Sequence, residues 1–192
     1  MVICLIRHGQ TDWNKKKIIQ GHTDNPLNAV GITQANLTAK FLVHNTYIWD
    51  MLVSSPLLRA RQTGEIIHNE LKMDTEILLR PGLMERDFGE ADGLEISTWW
   101  PKVKNGEVSG CETDEALQER SMGEINNLLN EYPDKNILVT AHSQSIKAIL
   151  TSIAPNEVTF NTKLDNACLS VIEYRDSKWE IIAFNISKHI SK

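Results

Sequence analysis

Cysteine is scarce in this chain and shows no metal-binding spacing. The 192 residues contain three cysteines, Cys4, Cys111 and Cys168, and no Cys-x-x-Cys pair. An odd number of well-separated thiols is typical of a protein kept reduced, with structural thiols rather than disulfides or a zinc site. We therefore expect the protein to be cytoplasmic.

The sequence also lacks a long hydrophobic run and an excess of basic residues. Its N-terminal apolar stretch ends at Arg7 with no basic segment before it, so we expect neither a signal peptide nor a membrane span. The net charge of −5 argues against a nucleic-acid or anionic-membrane partner. The one basic cluster, Lys15–Lys17, is expected to be a solvated loop face.

No nucleotide-binding or zinc-protease motif occurs, because Gly-x-x-x-x-Gly-Lys, Gly-x-Gly-x-x-Gly and His-Glu-x-x-His are all missing. The composition, with 41% hydrophobic and 23% charged residues, is that of an ordinary globular protein. A chain of 192 residues fits one domain, so we expect a single domain over residues 1–192.

Apolar strand-like runs alternate with helix-like stripes, which predicts an α/β fold with helices on both faces of a sheet. The segment 91–112 is the least regular part and is expected to be a lid or specificity region. We predict helices from Asn28 through Leu42, from Ser55-Pro56 to Leu71, from Thr113 to Pro133 and from Ser145 to Pro155; the strands are Val2–Ile6, Trp49–Val53, Asn136–Ala141, Ala167–Tyr174 and Trp179–Phe184.

An arginine and two histidines follow apolar strands. Arg7 and His8 come directly after the first run, and His142 closes a second run that starts at Asn136. Ligands of α/β sheets bind outside the carboxyl ends of the strands. Arginine offers phosphate a permanent charge and a rigid donor fork, while neutral histidine offers a nucleophilic nitrogen. The pattern predicts an anion site.

Four motifs follow one another in chain order. They are Arg7–Asn14 (Arg-His-Gly-Gln-Thr-Asp-Trp-Asn), Ser54–Thr63, Leu83–Gly89 with Gly93, and Asn136–His142. This series resembles the histidine phosphatase superfamily, also called the phosphoglycerate mutase-like family, over nearly the whole chain. The resemblance implies a three-layer α/β/α sandwich with a mostly parallel mixed sheet.

The resemblance also implies roles for particular residues. His8 is the expected phosphate acceptor and Glu85 the general acid, and no metal or cofactor is required. His8 can act as the nucleophile if its Nδ1–H is tied to a backbone carbonyl, which leaves the lone pair on Nε2. Phosphate neutralisation is assigned to Arg7, Arg59 and His142; further substrate contacts are assigned to Asn14, Gln20, Gly21 and Ser143.

The chain departs from the family pattern after its second histidine. Where the family usually has His-Gly-Gly, this chain has His142-Ser143-Gln144. The Ser143 hydroxyl either adds a contact to the phosphate or narrows the pocket and alters substrate choice. Elsewhere in the chain, Trp99 and Trp100 are consecutive, and they are either core residues or substrate contacts.

Three functions remain open at this stage. The preferred one is a phosphatase acting on a small phosphorylated metabolite, as a monomer or homodimer. A cofactor-dependent phosphoglycerate mutase is the first alternative, although mutases are generally longer between the acid and the second histidine. A catalytically weak phosphate-binding module is the second, and it is disfavoured because all five expected working residues are present.

Overall fold

The structure is a computed structural model that describes residues 1–44 and 46–190. In this part of the chain no helix has the length and hydrophobicity to cross a bilayer. The strands and α-helices are β1 (Val2–Arg7), α1 (Asp12–Lys16), α2 (Ala29–Val43), β2 (Met51–Ser54), α3 (Leu58–Glu70), β3 (Leu78–Leu79), α4 (Ile96–Lys104), α5 (Asp114–Glu131), β4 (Ile137–Ala141), α6 (Ser143–Ile153), β5 (Leu169–Arg175) and β6 (Lys178–Ile186).

The strands form one mixed sheet in the order β3-β2-β4-β1-β5-β6. The first four strands of this order pair in parallel, and β5 pairs antiparallel with both of its neighbours. The strands β1 and β4 lie side by side, with Arg7 opposite Ala141. The residues that follow these two strands therefore meet at one edge of the sheet.

Alternate residues of the central strands pack on opposite faces, as the period of two in a strand requires. On one face, Ile3 and Val139 pack with Ile125 of α5 and Ile149 of α6. On the other face, side chains such as Cys4, Leu52 and Leu138 pack with Leu42 of α2 and Ile67 of α3. The α/β/α sandwich with a mostly parallel mixed sheet is confirmed.

Most element boundaries lie within a few residues of those predicted. Thr113 caps α5 as expected, and Asn28, predicted only to precede α2, caps that helix; each accepts a backbone N–H with its side chain. Pro56, expected inside the first turn of α3, precedes the N-cap Leu57 instead.

Two of the helices in the structure are not predicted from the sequence. Lys15 and Lys16 are exposed as predicted but belong to the short helix α1, which a Thr11 capping box begins. The segment 91–112, predicted to be irregular, contains α4. Within this helix Trp99 and Pro101 carry weak helix propensity, and packing of Val103 and the tryptophans against Ile19 and Phe88 outweighs that weakness.

A backbone contact between the loop after β1 and the start of α2 fixes the position of His8. The Asn28 N–H donates to the Gln10 carbonyl at 3.0 Å. A Cβ on Gly31 would lie 2.1 Å from the same carbonyl oxygen, and a Cβ on Gly9 would lie 2.4 Å from the Gly31 oxygen. Only glycine fits at both positions.

We expect Gly31→Ala to destabilise the protein by about 3 kcal/mol, because the methyl group forces the helix away from the loop. The matched control is Gly123→Ala in α5, where a Cβ meets nothing within 4 Å and should stabilise the helix by about 0.5–1 kcal/mol. Urea unfolding of both variants measures the two changes. Equal midpoints for Gly31→Ala and the wild type would contradict the close contact.

Candidate active site

Three neighbouring strands bring polar side chains to one edge of the sheet. His8 follows β1, Ser55 follows β2 and His142 follows β4. The His8 N–H donates to the Ala141 carbonyl at 3.0 Å and the Ser55 N–H donates to the Thr140 carbonyl at 2.9 Å. The two imidazole rings lie 5.2 Å apart between centroids. The two histidines therefore lie close together, as the sequence predicts.

The His8 imidazole is held in one orientation. Its Nδ1 lies 2.7 Å from the Gly9 carbonyl oxygen. Because a carbonyl only accepts, Nδ1 carries the proton in the neutral ring and Nε2 keeps its lone pair. Burial, and then the charges of Arg59 and Arg7, lower the pKa of His8 well below 6.5. The ring is therefore neutral near pH 7.

Arg59 lies on the first turn of α3 and has no exposed surface. Its guanidinium donates to the carbonyls of Gly21 at 2.8 Å and Thr23 at 3.1 Å. With the Gln20 amide oxygen turned toward it, Arg59 also donates from Nε at 2.8 Å. Burial lowers the pKa of Arg59 to about 10, so it stays charged at neutral pH.

The loop that surrounds Arg59 is itself tied to the segment carrying Glu85. Asp92 accepts the N–H groups of Gly21 and Thr23 and the Thr23 hydroxyl, all at 2.9 Å. Asp24 accepts the N–H of Leu58 at the start of α3. Sequence analysis assigned no role to Asp92, and its place in the third motif, next to Gly93, is the only signal that points to it.

His142 lies behind His8, without exposed surface. Its Nε2 is 2.8 Å from the Ser55 hydroxyl, a partner that sequence analysis missed. Burial, and then Arg59, lower the pKa of His142 well below 6.5. In the free protein the second histidine is therefore neutral and offers a hydrogen bond rather than the charge expected from the sequence.

Glu85 is fixed at the N-terminus of α6. Its Oε1 accepts three backbone N–H groups, from Arg86 at 2.9 Å, Gln144 at 3.0 Å and Ser145 at 3.2 Å. Its Oε2 has a single longer contact, 3.3 Å from the Gln144 N–H. One carboxylate oxygen is thus anchored while the other is left for a ligand.

A cavity of about 220 Å³, called here the catalytic cavity, opens at these residues. Its hydrophobic wall includes Phe88, Ile96 and Trp100. The polar residues of its lining are Arg7, His8, Asn14, Gln20, Glu85, Ser143 and Gln144.

The other predicted site residues lie just behind this lining. Gly21, Arg59 and His142 are outside it, and the Gly21 carbonyl accepts a hydrogen bond from Arg59.

Asn14, in the lining, is held in place by hydrogen bonds. Its side-chain oxygen accepts from the N–H of Thr11 and from Asn166, each at 3.1 Å. Asn166 also donates to the His8 carbonyl at 3.2 Å, and no motif marks this residue.

The paired tryptophans have different environments. Trp100 lines the catalytic cavity and meets Phe88 edge-on, with 6.0 Å between ring centroids. Trp99 packs beside the Ile19–Phe88 cluster, with the Lys102 ammonium 4.3 Å from its centroid. Among residues 1–44 and 46–190, no cluster of three or more histidine, cysteine or carboxylate side chains is arranged to hold a metal ion.

Comparison with known proteins agrees with this arrangement. The model of branch 1 of the histidine phosphatase superfamily matches residues 3–187. The phosphatase PhoE of Bacillus subtilis, described as uncharacterized, is 40% identical over 98% of this chain and 96% of its own length. A probable phosphoglycerate mutase, GpmB of Proteus mirabilis, is 30% identical over 92% of this chain and 86% of its own.

A solved structure shows the same fold. A mutant phosphoserine phosphatase from Entamoeba histolytica, in complex with phosphoserine, superposes with a TM-score of 0.86. It is 27% identical, and the match covers 99% of each chain. The phosphatase of B. subtilis matches more closely than the mutase of P. mirabilis does. Because the family model matches residues 3–187, the chain belongs to the histidine phosphatase superfamily.

Proposed function

We propose that this phosphatase hydrolyses phosphate monoesters by transferring the phosphoryl group to Nε2 of His8 and then to water, without a metal ion or cofactor. The observation that carries this proposal is the 2.7 Å contact between His8 Nδ1 and the Gly9 carbonyl. It fixes the tautomer whose lone pair is on Nε2, in a ring that lines the catalytic cavity.

In the first step, His8 Nε2 attacks phosphorus while the bond to the leaving oxygen breaks. Arg7 lines the cavity and stabilises the phosphate oxygens directly. The buried charge of Arg59 acts from behind His8, and His142 supplies a hydrogen-bond donor. Glu85 acts as the general acid and gives a proton from the less constrained Oε2 to the departing alkoxide.

In the second step, a water molecule attacks the phosphohistidine. Glu85, now ionised, accepts a proton from that water while the nitrogen–phosphorus bond breaks. Inorganic phosphate leaves, and His8 returns to its neutral form. Because Glu85 now carries the proton from that water, it replaces the proton that it gave to the alkoxide. Each group therefore ends the cycle in its starting state.

The natural substrate is a small phosphorylated metabolite. Phosphoserine is bound in the related structure from E. histolytica, so it belongs among the esters with which substrate preference is measured. Mutase activity is the weaker alternative, and measuring interconversion of 3- and 2-phosphoglycerate with 2,3-bisphosphoglycerate tests it. We further propose that the enzyme works in the cytoplasm, because its three cysteines are unpaired. We also propose that it acts as a monomer or homodimer, and that it has no nucleic-acid or membrane partner because its net charge is −5.

We expect hydrolysis of p-nitrophenyl phosphate to continue unchanged in EDTA and to fall at least about 1000-fold in His8→Ala, because the variant has no nucleophile. His44→Ala, at an exposed histidine after α2, is the matched control and should retain activity. Turnover that the chelator abolishes, or that survives in His8→Ala, contradicts the mechanism.

We expect Glu85→Gln to lower kcat/KM about 100-fold or more on an alkyl phosphate and much less on p-nitrophenyl phosphate, because only the alkoxide needs a proton to leave. Glu90→Gln changes an exposed carboxylate of the same segment and serves as the control. Equal losses of Glu85→Gln on the two esters would assign the proton to another group.

A further inference from the structure

A second cavity lies beside the catalytic cavity and has no role in the mechanism described above. This outer cavity has a volume of about 390 Å³, in the range of small-molecule sites. It shares two wall residues, Trp100 and Gln144, with the catalytic cavity. The outer cavity therefore adjoins the cavity in which His8 would meet a phosphate ester.

The walls of the outer cavity are held in place by the fold. Lys104 and Trp100 on α4 form part of one side, and Phe160, from the segment between α6 and β5, lies in the lining. Lys147 donates to the Phe160 carbonyl at 3.1 Å, and the Arg86 guanidinium lies 4.9 Å from the Phe160 ring centroid. The cavity is thus preformed in the free protein.

The charges around the outer cavity are balanced, which favours an uncharged leaving group. Its lining includes three carboxylates, of Glu112, Asp114 and Glu115, and two cations, Arg86 and Lys104. Arg86 pairs with Asp114, and the Glu112 carboxylate is paired with Arg120 at 2.8 Å. A second acid on the substrate would therefore find no net positive charge to offset the loss of its hydration, which costs binding free energy.

A hydrogen-bond acceptor without a partner belongs to a residue at the junction of the two cavities. Gln144 is 6% exposed, and its buried Oε1 has no hydrogen-bond partner among the described residues. The Gln144 backbone N–H holds Glu85 at 3.0 Å. The amide that would contact the leaving group therefore belongs to the residue that positions the proton donor. Asn161 adds a second amide to the lining.

We propose that the outer cavity binds the leaving group of the substrate and that this group is an uncharged, hydroxyl-rich molecule, so that the enzyme prefers sugar phosphates. Hydroxyl groups donate to the carboxylates and pair with the amides of Gln144 and Asn161, while Trp100 and Phe160 supply aromatic surface. The inference rests on the proposed phosphatase function and adds the class of substrate.

The test compares kcat/KM for glucose 6-phosphate, O-phosphoserine, 3-phosphoglycerate and p-nitrophenyl phosphate. The wild type should prefer glucose 6-phosphate to both carboxylated esters by at least about tenfold. Asn161→Ala should lower the ratio of the sugar phosphate to the aryl phosphate by about tenfold. Equal or better use of the carboxylated esters by the wild type, or an equal loss on all substrates in Asn161→Ala, overturns the inference.

A charge reversal tests the electrostatics of the outer cavity separately. Glu115→Lys should raise the use of 3-phosphoglycerate relative to glucose 6-phosphate by at least about threefold, because it gives the lining a net positive charge. Glu119→Lys makes the same charge change on α5 at an exposed residue outside the lining and should leave that ratio unchanged. An equal effect of the two variants contradicts the subsite. Turnover of p-nitrophenyl phosphate that survives in His8→Ala contradicts the phosphatase mechanism instead.

Discussion

The site depends on one electrostatic constraint: Arg7 and Arg59 place positive charge where both histidines are buried, so the two imidazoles stay neutral. Burial and the neighbouring guanidinium groups together keep the pKa of His8 and of His142 well below 6.5. A neutral His8 has a free lone pair, and the positive charge of the two arginines attracts a phosphate. The same arrangement thus prepares the nucleophile and binds the anion.

The fold provides this constraint by placing two parallel strands side by side. Because β1 and β4 are neighbours, His8 and His142 meet at one edge although they are far apart in sequence. The start of α3 adds Arg59 and the start of α6 fixes Glu85 through its backbone N–H groups. Strand ends and helix N-termini converge here, as in other α/β sheets that bind anions.

Sequence alone predicts the parts of this site that local patterns determine. The strands that lead to His8 and His142 and the helix starts at Asn28 and Thr113 are predicted correctly, because each is specified by adjacent residues. Helix α4 is not predicted from the sequence, because tertiary packing rather than propensity stabilises it.

Contacts between distant segments could not be predicted in the same way. The anchoring of Gly21 by Asp92 and the pairing of Ser55 with His142 join residues that no local pattern connects. The burial of Arg59 behind the catalytic cavity likewise depends on a loop that folds back over α3.

The protonation state of His8 tests this account most directly. Nitrogen-15 NMR of the imidazole, assigned by comparison with His8→Ala, can be followed in the phosphate-free enzyme from about pH 8 to about pH 5. A lowered pKa means that the folded protein resists protonation as the pH falls through 6.5. The account predicts a neutral ring with its proton on Nδ1 at neutral pH and no titration near pH 6.5. A proton on Nε2 at neutral pH, or titration at the ordinary pKa of 6.5, would contradict it.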